Sequence, residues 1–197
     1  MIRMKLFLVF LVLPTYLFSQ NLDIRILREI NLHRNPHLDG VFRGITNSAS
    51  PVAICTPVIL YSVGLFEKDS TTKRKAIYIG VTVITSATIA TIMKYSVKRK
   101  RPFETYPEIQ KVTSGGSPSF PSGHTSDAFA LATSVSLSYP KWYIIVPSYV
   151  WAGAVGYSRM DLGVHYPSDV LMGAIIGAGS AYLCYKGQQW LHKKRNQ

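Results

Sequence analysis

The sequence predicts an all-α, polytopic membrane bundle of about five transmembrane helices behind a signal-like N-terminal segment, six if that segment is retained. Three observations carry this. The 197-residue chain is 47% hydrophobic, and its mean hydropathy is positive. Charged residues make up 16%, whereas soluble domains carry about a quarter. Five apolar segments (roughly 51–66, 76–93, 125–139, 142–157 and 170–185) follow one another with few charges inside any of them. Each is shorter than the ~20 residues of an ideal span, and small flanking residues at 44–50 extend the first. The length suits one domain with a full core.

The elements follow in order. Arg3 and Lys5 precede an apolar run at 6–18 and then Ser19, which is a secretory signal pattern. Pro14 interrupts the run. The expected division is therefore 1–20 as a cleaved signal or an uncleaved first span, and 21–197 as a single domain. Both alternatives leave Asn21 on the outer side. Over 22–32, Leu22, Ile26, Leu27 and Ile30 share a helical face, with Arg25, Arg28 and Glu29 on the rest. That pattern fits an amphipathic helix at the membrane interface, or equally a surface helix packed on the bundle. Small residues recur in the last three apolar segments, including Ala128, Ala132, Ala152 and Gly156, and Gly173 and Gly177 have the spacing that lets membrane helices approach closely.

With Asn21 outside, five crossings put 67–75 inside, 95–124 outside, 140–141 inside, 158–169 outside and the C-terminus inside. Lys and Arg are about equally numerous on the two sides, so their distribution does not decide the orientation, and the signal-like N-terminus does. The net charge of +12 sits in short runs between apolar stretches. It forms no continuous basic face with stacking aromatics, so nucleic acid is not an expected partner. Bilayer headgroups are. Cys55 and Cys184 lie in apolar stretches without a CxxC or Cys/His companion. No zinc site, redox pair or cofactor is expected.

Three blocks carry chemistry, and this topology brings all of them to the outer face. Lys94 and Arg101 are seven residues apart, close to two helical turns, so both can point the same way. Pro102 biases Arg101 out of helical geometry. Pro121, Ser122, Gly123 and His124 precede a helical pattern. Backbone N–H groups at a helix start bind anions, Ser122 adds a hydroxyl, and His124 can exchange a proton. Ser158 and Arg159 close the fourth segment; His165 follows, with Asp169 four residues later in a helix that Ser168 would cap. A carboxylate on one imidazole nitrogen fixes the tautomer and leaves the other nitrogen as nucleophile. The loop 103–120 is expected to lid this pocket, with Phe103 and Tyr106 as interfacial anchors or substrate contacts.

These blocks resemble the signature of the type 2 phosphatidic acid phosphatase and vanadium haloperoxidase superfamily: Lys-x6-Arg-Pro, Pro-Ser-Gly-His and Ser-Arg-x5-His-x3-Asp, matched in order over 94–169. The resemblance implies a membrane lipid phosphatase that uses no metal. In it His165 attacks phosphorus, Asp169 orients it, and His124 serves as acid and then base. Lys94, Arg101, Ser122, Gly123 and Arg159 hold the phosphoryl oxygens. A lipid phosphate is the implied substrate, with undecaprenyl diphosphate favoured by analogy over phosphatidylglycerophosphate, phosphatidate and lipid A. A bacterial inner membrane, with the site facing the periplasm, is the implied location. A soluble acid phosphatase and a vanadate-dependent haloperoxidase are the rival readings, and the apolar spans weigh against both.

Overall fold

The computed structural model describes residues 22–195, so the expected signal or first span at 1–20 lies outside the described residues. Helix α1 covers 22–32. A 3-10 turn at Pro36–Leu38 leads to α2 (Asp39–Asn47), α3 (Ala49–Phe66), α4 (Ser70–Val97), the short α5 (Pro102–Thr105), α6 (Gly123–Ser138), α7 (Trp142–Asp161) and α8 (Pro167–Arg195). All five apolar segments are helices, and no strand occurs among the described residues.

The packing is inverted relative to a water-soluble bundle. Large apolar side chains face outward, among them Ile54, Val58, Ile84, Ile92, Val150, Leu171 and Leu183, while the interior holds Thr82, Ser86, Ser126 and Ser134. Ser86 Oγ and Ser126 Oγ lie 2.6 Å apart in a buried hydrogen bond. Lipid is as apolar as Leu, so burying leucines gains little in a bilayer, and close packing with internal hydrogen bonds takes over. α6 occupies the centre, in contact with α3, α4, α7 and α8. Its small residues permit this: Ala128 and Ala132 cluster with Ala49, Ala152 and Val155. Gly173 and Gly177 face α6 as the spacing predicts. A Cβ on Gly173 would sit 2.6 Å from Ser122 O, and one on Gly177 would strike Ser126 O and lie 2.7 Å from Ala130 N.

Three stretches are long and apolar enough to cross a membrane, Pro36–Phe66, Ser70–Thr105 and Pro167–Leu191. Of the five expected membrane helices, three qualify by length and composition on their own. α6 has only 16 residues, and α7, although 20 residues long, lacks the apolarity. Both owe their place to packing between neighbours, which an apolar count along the chain does not register.

Turn chemistry sets both ends of α4, the second of which carries a residue of the site. Asp69 caps α4, its carboxylate accepting from Thr71 N at 2.8 Å and Thr72 N at 3.2 Å. The Thr72 hydroxyl, donating to the same carboxylate at 2.6 Å, and then the Thr71 N–H hold its carboxyl below the usual range. α4 stops at Val97 because Lys98 turns left-handed, with φ 51°. Lys94 and Arg101 are therefore not two turns apart on one helix, as their spacing suggests; a turn and an extended stretch separate them. Pro102 does hold Arg101 extended, at φ −75° and ψ 157°.

α1 packs on the bundle, as the second of its two readings has it, but on a rotated face. Ile24 and Leu27 are buried with Ile109 and Tyr166, and Asp23 and Asn31 are buried beside them, whereas Leu22 and Ile26 are exposed. The reason is polar: Asn31 Nδ2 donates to Asp161 O at 2.8 Å and to Gln110 O at 3.0 Å. Apolar periodicity cannot see such contacts.

Candidate active site

The chain ends described above open onto one cavity of about 370 Å³. Its wall includes Lys94 from the end of α4, Arg101 before α5, Gly123, His124 and Asp127 from the first turns of α6, Arg159 from α7 and His165 from the α7–α8 loop. Ser50 and the stretch Ser114, Gly115, Gly116 and Ser117 complete it. Three blocks separated by up to 71 positions in sequence (94 to 165) therefore meet at one place, as their order predicts. A second cavity, about 380 Å³ between α3 and α4, is lined by groups such as Ile54, Val58, Gly80 and Val83 and contains no cation or carboxylate.

The cations are held by backbone carbonyls. Lys94 Nζ donates to Pro118 O at 2.9 Å. Arg101 donates from Nε to Ser117 O and from Nη1 to Val164 O, both at 2.8 Å. Arg159 donates from Nη1 to Thr46 Oγ1 at 2.9 Å and from Nη2 to Ser114 O at 3.3 Å. Its Nε is buried with no partner among the described residues. Carbonyls orient these groups without neutralising them, so the wall keeps three positive charges for an anion. The loop 103–120 serves as part of this wall. Gly115 packs flat on Arg101, where a Cβ would come within 2.7 Å of Nη1.

His165 and Asp169 sit as the four-residue spacing predicts. His165 Nδ1 lies 3.3 Å from Asp169 Oδ2, and His165 Nε2 lies 3.4 Å from Arg101 Nη1. Burial, above all, pushes the His165 pKa down to about 3, so the ring is neutral at pH 7. The Nδ1–H tautomer, donating to Asp169, places the Nε2 lone pair beside the cations. Burial also lowers His124, to about 4, with Arg159, Lys94 and Arg101 adding to the effect.

Ser122 is completely buried and stands behind the cavity wall, its Oγ accepting from Thr125 Oγ1 at 2.8 Å. Ser122 N donates to Asp169 O at 3.0 Å, tying the start of α6 to α8. Ser168 does not cap α8. The helix begins at Pro167, and Ser168 instead donates from N and Oγ to Asp23. Phe103 and Tyr106 do not line the cavity. They pack on the cluster around Ile24 and Leu27, under Lys111 and Arg28 respectively.

Sequence reasoning missed Arg99, Ser119 and Asp127. Arg99 Nη1 donates to Asp169 Oδ1 at 2.7 Å, although in sequence it reads as one charge of a basic run. Ser119 Oγ donates to Asp169 Oδ2. Asp127 lies one helical turn beyond His124, a spacing that was legible, and accepts from Ser50 Oγ at 3.3 Å. No group of three or more His, Cys, Asp or Glu suited to a metal occurs among the described residues.

An integral membrane helical bundle with a cation-walled pocket around a buried His–Asp pair defines a class, and comparison with known proteins supplies the family. The family model described as the PAP2 superfamily matches residues 75–193, and the chain belongs to that superfamily. The chain is similar to a lipid A 4'-phosphatase of Bacteroides thetaiotaomicron, 38% identical over 71 residues, 36% of this chain and 32% of that protein. It is 27% identical to the undecaprenyl-diphosphatase BcrC of Bacillus subtilis over 154 residues, 78% of this chain and 77% of that one. The crystal structure of a PAP2-type phosphatidylglycerolphosphate phosphatase from Bacillus subtilis superposes with a TM-score of 0.73 at 27% identity, covering 94% of both chains. The chain spans less than two thirds of the length of the lipid A phosphatases it matches.

Proposed function

We propose that the protein is a membrane phosphatase that removes a phosphoryl group from a lipid phosphate or diphosphate through a phosphohistidine intermediate. The observation that carries this is the neutral His165, with Nδ1 on Asp169 and Nε2 beside Arg101 at the wall of a pocket that also holds Lys94 and Arg159. The family and its phosphatase relatives support the reaction class.

In the first step the Nε2 lone pair forms the N–P bond in line as the bond from phosphorus to the leaving oxygen breaks. His124 gives that oxygen a proton. The empty pocket holds His124 neutral; a bound phosphate brings negative charge among the same three cations and lets the proton return. Phosphohistidine retains the Nδ1–H and carries positive charge, which Asp169 offsets. In the second step His124 takes a proton from water, the water oxygen bonds phosphorus and the N–P bond breaks, releasing phosphate. Charge spreads over the phosphoryl oxygens in both steps, and Lys94, Arg101, Arg159 and the N–H groups at the start of α6 stabilise it. Ser122 contributes its backbone and its hydrogen bond to Thr125. These cations take the part that a metal ion plays in other phosphoryl transferases.

The substrate is assigned as a phosphate-bearing lipid, with undecaprenyl diphosphate favoured, and the pocket is assigned to the outer, periplasmic side of a bacterial inner membrane. Its position at the end of the apolar helices supports a headgroup at the membrane surface. The domain is assigned to 21–197. The test is phosphate release by detergent-purified protein in EDTA from undecaprenyl diphosphate, phosphatidate, phosphatidylglycerophosphate and lipid A, with His165→Ala as the blank. Release that survives EDTA and vanishes in the variant is expected, and release that depends on added Mg²⁺ would refute the mechanism.

A further inference from the structure

Asp23 lies on α1, well outside the stretch matched by the family, yet it is buried and bonded to the catalytic machinery. Its Oδ2 accepts from Arg99 Nη2 at 2.7 Å, and its Oδ1 accepts from Ser168 N at 2.8 Å. The same guanidinium reaches Asp169 Oδ1 through Nη1 at 2.7 Å, and it lies 3.9 Å from the centre of the Tyr166 ring. Arg99 is thus clamped on two edges by carboxylates and on one face by an aromatic ring. Nη1 also donates to Ser168 Oγ at 2.7 Å, so removing either carboxylate releases one edge of the guanidinium and leaves its plane less firmly fixed.

We propose that Asp23 is a positioning residue of the active site: it acts through Arg99 to hold Asp169, and through Asp169 the His165 ring, so that α1 is a working part of the catalytic centre. Asp23 also accepts from the Ser168 N–H and hydroxyl at the start of α8, where a carboxylate is favoured. One side chain therefore fixes Arg99 relative to the helix that carries Asp169. Asp169 Oδ2 already accepts from Ser119 Oγ, Tyr166 N and His165 Nδ1. Among the described residues Arg99 alone engages Oδ1, so it decides how the carboxylate presents its other oxygen to the imidazole. The anchoring of α1 by Ile24 and Leu27 against Ile109 and Tyr166, and by Arg28 on Glu108 at 2.6 Å, keeps Asp23 in register.

The inference rests on the reading of His165 and Asp169 as nucleophile and orienting group. Its test uses the full chain in detergent with a soluble short-chain lipid phosphate. Asp23→Asn and Arg99→Gln should each lower kcat about tenfold to a hundredfold, the effect of one charge-assisted hydrogen bond, with KM nearly unchanged. The double variant should be no slower than Arg99→Gln, since Asp23 reaches Asp169 through Arg99 and Asn keeps a carbonyl oxygen for the Ser168 N–H. The acid limb of kcat/KM should move up by roughly one pH unit in Arg99→Gln, because Asp169 then faces His165 with its charge less offset, and should not rise in Asp23→Asn, which removes a negative charge and keeps Arg99. The other charged or titratable groups of the cavity wall, Lys94 from α4, Arg101 before α5, His124 and Asp127 from α6 and Arg159 from α7, are unaltered. Arg99→Lys should regain part of kcat and the original limb. The position of a limb is independent of the fraction of active enzyme, so a poorly folding variant still reports. Losses that multiply in the double variant, or an unmoved acid limb in Arg99→Gln, would overturn the proposal. An inactive wild type would overturn the phosphatase reading, and this inference with it.

Discussion

Asp169 uses both oxygens fully: Arg99 on Oδ1, and Ser119, the Tyr166 N–H and His165 on Oδ2. Every partner is a donor, so only an ionised carboxylate satisfies all of them. Asp169→Asn places an amide N–H₂ against one of these donors and favours the wrong imidazole tautomer. Its kcat should fall about 10³- to 10⁴-fold, a loss read in single-turnover assays, while the protein stays folded. Arg159→Ala removes a buried cation whose Nε has no protein partner, and kcat should drop ~10²- to 10³-fold, as for loss of one oxyanion donor. His165 also links pH to stability. Its folded pKa of about 3 is below the ordinary 6.5, so between those values the unfolded chain binds a proton that the folded chain refuses. Stability should decline as pH falls from 6.5 toward 3. His165→Asn should flatten that decline, and an identical slope in melts of both proteins would contradict the assignment.

At the scale of elements, the closest contact is between α6 and α8. A side chain at Gly177 meets the backbone of Ser126 and Ala130, which cannot swing aside. Gly177→Leu should therefore cost about 1–3 kcal/mol or more, read as a lower melting temperature in detergent. Gly179 meets nothing within 4 Å, and Gly179→Leu should be nearly neutral. These two glycines also show what was legible in the sequence. Five helices, the Gly173 and Gly177 contact, and the convergence of Lys94, His124, Arg159 and His165 followed from apolar runs and fixed motif spacings. The left-handed turn at Lys98, the rotated face of α1 and the bonds from Ser168 to Asp23 did not. Each depends on polar groups far apart in sequence, and Arg99 within its basic run looks no different from its neighbours.

At the scale of the whole molecule, apolar residues cover the bundle's sides while the pocket opens at one end. The outward assignment predicts that Lys111→Cys, on the exposed part of the 103–120 loop, is labelled by a membrane-impermeant maleimide on intact cells when Cys55 and Cys184 are replaced. Labelling only after lysis would reverse the orientation. The most direct measurement is covalent trapping: lipid substrate labelled with ³²P, quenched in alkali, with the acid-labile label mapped by peptide. The label should sit on His165, persist longer in His124→Ala because water is no longer activated, and be absent from His165→Ala. Phosphate release by a wild-type protein that carries no label at His165 would contradict the mechanism at its first step.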